Sequence, residues 1–212
     1  MLKLDEKEDF KVFSGRYVDQ MPLLLAEGRT PLSISDLMKK RLEVLTSSEE
    51  IRKVWWDNAF STRDALVYTP DGQVKVVLDS QHLRELTHER GLINGALPLE
   101  DEIYYQLAGP RFSREEIEKC VRGRTFDEVN ENPFWQVLAR DSNMLFAYSK
   151  EIFKHPRESP MGVYIKRPSW IPGSQNKPVL VSWSLQGLNY LSLLMGAQLL
   201  DFSAGYIIGE RK

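Results

Sequence analysis

One stretch near the end of this chain limits what the whole can fold into. From Pro178 to Leu200 no residue is charged, in a protein where 27% of residues are Asp, Glu, Lys or Arg. Gly187, Gly196 and Gly205 punctuate the tail at equal spacing, and Gly209 follows. Glycines so placed favour tight turns or close backbone approach over one continuous helix. A membrane-spanning helix fits poorly, because Ser182, Ser184, Gln186, Asn189, Ser192 and Gln198 would all have to be hidden from lipid.

The rest of the chain reads as a helix-rich part, residues 1–156, followed by a loop-and-strand part, residues 157–212, within one domain. Residues 1–32 read as irregular, with one short strand at 10–13 and breaks at Pro22 and Pro31. Ser33 or Ser35 caps a helix over 36–45, in which Leu37, Met38, Arg41, Leu42 and Leu45 form a core-facing stripe. Ser47 with Glu50 forms a capping box for an aromatic helix over 49–60. Ala65–Thr69 and Gln73–Leu78, joined by Pro70-Asp71-Gly72, form a hairpin. Further helices are expected at 81–90 behind Ser80, at 100–107, after the Ser113/Glu116 box, at 133–140 behind Pro133, and at 143–153. Thr125 with Glu128 marks a short turn. Strands are expected at 161–165, 179–183 and 205–209.

The chemistry-bearing residues are sparse. A formal net charge of -2 gives no global pull toward nucleic acid or anionic lipid. The single cysteine, Cys120, rules out a disulfide within the chain and a cysteine-rich zinc site, and it reads as a half-buried thiol on a helix. His82 and His88 do not have the one-turn spacing that lets two imidazoles share a metal. Glu100, Asp101 and Glu102 are explained by the dipole of the helix they open. Lys39, Lys40 and Arg41 make a basic cluster beside two short helices over 36–60. They lie on the first helix, whereas a helix-turn-helix reader places its second helix in the groove. The charged N-terminus has no signal-peptide core, so a cytoplasmic location is the default expectation.

Several pieces of the sequence together resemble a family. Met161-Gly162-Val163-Tyr164, a proline-rich loop, then Trp183, Gly187-Leu188, Ser192, Gly196, Leu200, Gly205 and Gly209 are similar to the archaeal, Nanoarchaeota-type variable proteins of diversity-generating retroelements. Ser35-Asp36-Leu37-Met38, Trp55-Trp56-Asp57-Asn58 and Asn132-Pro133-Phe134-Trp135 extend the resemblance over most of the chain. It implies an α+β, C-type-lectin-like fold: a small twisted antiparallel sheet with several surrounding helices. It further implies a non-enzymatic protein whose C-terminal ligand face is diversified through errors at template adenines.

The genetic code limits which residues can vary in that way. Adenine substitution in Asn codons cannot yield Trp, Gln, Met, Lys or Glu, so Trp183, Gln186, Met195, Gln198 and Glu210 fall outside the variable set. Trp183 and Gly187, Gly196, Gly205 and Gly209 are expected to be scaffold. The expected variable, ligand-contacting positions are Ser184, Asn189, Tyr190, Leu191, Leu193, Leu194, Ala197, Leu199, Phe202, Ser203 and Tyr206. Replaceable side chains must stay out of the core, where substitutions cost several kcal/mol, so these are expected to face water. The expected partner is a protein or other macromolecule, with no cofactor, metal, nucleic acid or membrane insertion. Two other readings stay open: an enzyme or small-molecule binder with an unrecognised pocket, and a DNA-binding module using the helices within 36–60.

Overall fold

The computed structural model describes residues 9–87, 91–113, 115–116, 119, 125–154, 161–165, 176–188, 193–203 and 205–211. Cys120, His88, Asn189, Tyr190 and Leu191 lie outside these residues.

The elements run β1 (Phe10–Ser14), α1 (Tyr17–Ala26), β2 (Arg29–Pro31), α2 (Ile34–Glu43), a short 3-10 turn (Val44–Thr46), α3 (Glu49–Asp57), β3 (Phe60–Tyr68), β4 (Val74–Val77), α4 (Gln81–Arg84), β5 (Leu97–Pro98) and α5 (Asp101–Gln106). They continue with β6 (Arg111–Phe112), α6 (Phe126–Glu131), α7 (Pro133–Ala139), α8 (Ser142–Ile152), β7 (Gly162–Tyr164), β8 (Val179–Leu185), β9 (Leu193–Gln198) and β10 (Tyr206–Arg211).

The strands form one ten-stranded sheet with main order β1-β10-β3-β8-β9-β7. Pairing is antiparallel except for β10 with β3 and β7 with β9. The two ends of the chain meet, since Phe10 to Ser14 pair with Glu210 to Tyr206.

Strands β3 and β8 lie at the centre, and neither exposes a residue. Alternation along them sends side chains to opposite sides. Leu66, Tyr68, Val179, Val181, Trp183 and Leu185 join a cluster with α2, α3, α7 and α8, including Trp55, Trp135 and Tyr148. Ala65, Val67 and Leu180 join a second cluster with Tyr17, Met21 and Leu24 of α1 and with Leu83, Tyr104 and Leu200. Covering on both faces explains why β8 is apolar along most of its length. Residues from both halves of the sequence build both clusters.

Helix α1 is a departure from the irregular entry expected at 1–32. Pro22 sits inside it, yet Tyr17, Val18, Met21 and Leu24 are buried. Packing of that stripe outweighs the backbone hydrogen bond that proline removes. Other boundaries also moved. Ser48, not Ser47, caps α3, accepting from Ile51 N. Phe60 begins β3 rather than ending a helix. The helix after Ser80 covers only Gln81–Arg84. The Thr125/Glu128 box opens a true helix, α6.

Between Ser61 and Ala65 the β3–β8 register shifts. The bulge is a polar hub. Thr62 Oγ1 donates to Trp183 O (3.0 Å) and the Tyr17 hydroxyl donates to Thr62 O (3.0 Å). The Asp64 side chain, fully buried, accepts from Ile34 N (2.8 Å), Asp79 N (2.9 Å) and Arg140 Nη2 (2.8 Å). Burial pushes the Asp64 carboxyl above its ordinary value of 3.8, against the opposing pull of the two amides and Arg140.

Candidate functional site

The tail reaches the expected ligand face from two sides. On the entry side, β8 ends at Leu185 and a turn over 186–188 leads to the expected variable stretch. That turn rests on α3. Leu188 N donates to Trp56 O (2.6 Å). Gly187 lies so close that a Cβ there would overlap the Asp57 carbonyl and stand 2.6 Å from Asn58 N.

On the exit side, the turn between β9 and β10 is tied by main-chain bonds. Leu200 N donates to Gly95 O (2.7 Å), Val18 N to Leu200 O (3.1 Å), and Gly15 N to Gly205 O (2.9 Å). The partner loop is itself a tight turn: Ile93 and Ala96 exchange hydrogen bonds of 2.9 and 3.1 Å, with Asn94 at φ 50° and Gly95 at φ 81°. Asn-Gly in that conformation is a two-residue hairpin turn, a signal present in the sequence where only a loop was expected. A Cβ at Gly95 would overlap the Asp201 carboxylate and come within 3.0 Å of Leu199 Cβ. Leu200 is fully buried, so it pins the turn from beneath.

Each expected contact residue has a definite place. Phe202 is 52% exposed and Ser203 is exposed. Leu199 and Tyr206 are half-buried and pack against the larger cluster. Leu193, Leu194 and Ala197 lie on β9, whose Ala197 pairs with Trp183; their side chains are outside the described set. Ser184 does not have the exposure expected of it. It is buried opposite Gly196 and accepts from Gln186 Nε2 (2.6 Å), because it belongs to a strand covered on both faces. Of the residues expected to be invariant, Trp183 is fully buried edge-on against Phe134 (6.1 Å), and Gln198 Oε1 accepts from Ser61 Oγ (2.9 Å).

Arg41 is the residue whose role sequence reasoning missed. Placed on the core-facing stripe of its helix and also counted in the basic cluster, it is fully buried. Nε donates to Trp55 O (2.8 Å), Nη1 to the Tyr148 hydroxyl (2.8 Å) and Gln186 O (2.9 Å), and Nη2 to Asn58 O (2.9 Å). Its position on the stripe of α2, in step with Leu37 and Met38, was the available signal. Lys40 lies over the Phe10 ring at 4.4 Å. With Arg41 inside, the basic cluster does not present three cations to a phosphate backbone.

A cavity of about 230 Å³ opens beside Leu188, with Leu45 and Trp56 in its wall and Glu49, Arg52, Lys53, Asp57 and Glu151 at its rim. Glu49 pairs with Lys53 at 2.6 Å. No Ser, Cys or His lines it. Among the described residues no group of three or more His, Cys, Asp or Glu could hold a metal ion, and no helix is long and apolar enough to cross a membrane.

The architecture defines a class. A solved chain, described as accommodation of massive sequence variation in Nanoarchaeota by the C-type lectin fold, matches with a TM-score of 0.65 at 11% identity, over 97% of this chain and 99% of that one. The present chain therefore has the C-type lectin fold, with helices on both faces of an open, mostly antiparallel sheet. No protein-family model and no curated protein matches it in sequence.

Proposed function

We propose that this chain is a non-enzymatic binding protein of one domain, and that its C-terminal surface is diversified by a retroelement acting at template adenines. The ligand face comprises Asn189, Tyr190, Leu191, Leu193, Leu194 and Ala197, with Leu199, Phe202, Ser203 and Tyr206 of the exit turn and the strand after it; Ser184 is left out because it is buried. The observation that carries this reading is the exit turn itself. Its main chain is tied by Gly15, Val18 and Gly95, all outside the tail, while Phe202 and Ser203 point to solvent. A turn held this way does not depend on which side chains it displays. The same fold accommodates massive sequence variation in the solved Nanoarchaeota case. An exposed aromatic such as Phe202 is the kind of anchor that dominates protein interfaces, so the partner is a macromolecule with an apolar patch.

The test is genomic. A near-copy of the DNA encoding the tail should lie beside a reverse-transcriptase gene and differ from it only where the copy has adenine. Differences falling in the codons of Trp183, Gln186, Met195, Gln198 or Glu210, or the absence of any copy, would overturn the proposal.

A further inference from the structure

Arg41 poses a physical problem. A guanidinium with no exposed surface normally needs a carboxylate, and among the described residues none lies within ion-pair distance. The four contacts above are all neutral oxygens. Two of them, Trp55 O and Asn58 O, belong to the C-terminal end of α3, where helix carbonyls lack intrahelical partners and the helix dipole is negative. Helix α3 has no basic residue in its own last turn, so Arg41 supplies that charge from α2. Its remaining contacts join this helix end to the tail: Gln186 O at the end of β8, and the Tyr148 hydroxyl on α8. Trp56 closes the group, donating from Nε1 to Arg41 O (2.9 Å), stacking on Tyr148 at 5.6 Å, and accepting from Leu188 N.

We propose that Arg41 is a positioning residue: it fixes the turn at 186–188 from which the variable stretch departs, so the path of the backbone there is set by α2, α3 and α8 rather than by the displayed side chains. This rests on reading the tail as a variable ligand face and adds how that face tolerates variation. One planar fork reaches four acceptors in different directions. A lysine, with a single ammonium, reaches fewer of them, so the arginine is specific to the role.

Hydrogen–deuterium exchange on the full chain tests this, in Arg41→Lys and Tyr148→Phe. The Leu188 amide is expected to exchange about tenfold faster in each, the scale of losing one hydrogen bond to a charged group. Amides of Leu66 and Leu180, in the central pair, should change only as much as global stability does. Equal acceleration at all three sites, or none at Leu188, overturns the proposal. Should Arg41→Lys fail to fold, Tyr148→Phe decides, since it deletes one contact and no charge. As a third arm, Phe202→Asp with Ser203→Lys should leave Leu188 exchange unchanged; acceleration there would show that displayed side chains hold the turn, and would also overturn it. The genomic comparison is separate: a missing template copy sinks the variable-face reading and leaves the exchange result standing.

Discussion

Arg140 follows α7 and adopts a left-handed backbone, φ 64°, while its Nη2 reaches the buried Asp64 carboxylate at 2.8 Å. Replacing it with alanine leaves that charge inside the protein with the Ile34 and Asp79 amides and the more distant Arg63 charge. Breaking a fully buried pair costs about 3–5 kcal/mol, but Arg140 is 34% exposed and water screens part of the loss. We expect a loss of about 2 kcal/mol at neutral pH. Glycine at the same position should recover about 1 kcal/mol of it, because the left-handed conformation then carries no Cβ strain. The pH dependence separates the electrostatic part. Burial raises the Asp64 pKa above 3.8, so its contribution to stability is present below that value and is lost as pH rises through the folded-state value. Arg140 pulls that value down, so removing Arg140 extends the loss to higher pH. In urea denaturation the difference between Arg140→Ala and the parent should therefore be greatest at neutral pH and shrink toward the acid end, where Asp64 is protonated in both. A difference of the same size at both ends would refute the reasoning.

Other outcomes follow from the same geometry. Gly187→Ala should cost about 1–3 kcal/mol in thermal denaturation, since the neighbours a Cβ meets are backbone of α3 and its cap rather than flexible side-chain ends. Leu200→Ala should cost about 2–5 kcal/mol by the same assay, whereas Phe202→Asp, two residues on, should stay within about 0.5 kcal/mol. Trp183→Ala should lower stability by about 3–5 kcal/mol, because the indole is fully buried against Phe134. If Phe202→Asp proves as costly as Leu200→Ala, the exit turn is part of the core and not a display surface.

Local chemistry was legible wherever a residue's role is settled by its near neighbours in the chain. The Ser33 cap of α2, Pro133 in the first turn of α7, and the β3–β4 hairpin through Asp71-Gly72 all formed. The strand expected at 179–183 formed within β8. The variable-face expectation at 189–197 was not decided by local pattern; it came from family resemblance.

Other features were decided only by distant partners. Pro22 looked like a break, and only the packing of Tyr17, Met21 and Leu24 against the sheet keeps α1 helical through it. Arg41 fell both on the core-facing stripe and in the basic cluster, and it is buried because carbonyls from the end of α3 and from Gln186 just past β8, with a hydroxyl from α8, converge on it. Ser184 looked replaceable until β3 and β9 covered it on both edges. The sequence by itself determined the Ser33 cap, the β3–β4 turn and the uncharged character of β8, because each depends on residues a few positions apart. Tertiary structure alone decided which polar groups lie inside, because a buried donor is tolerated only where acceptors from remote segments meet it.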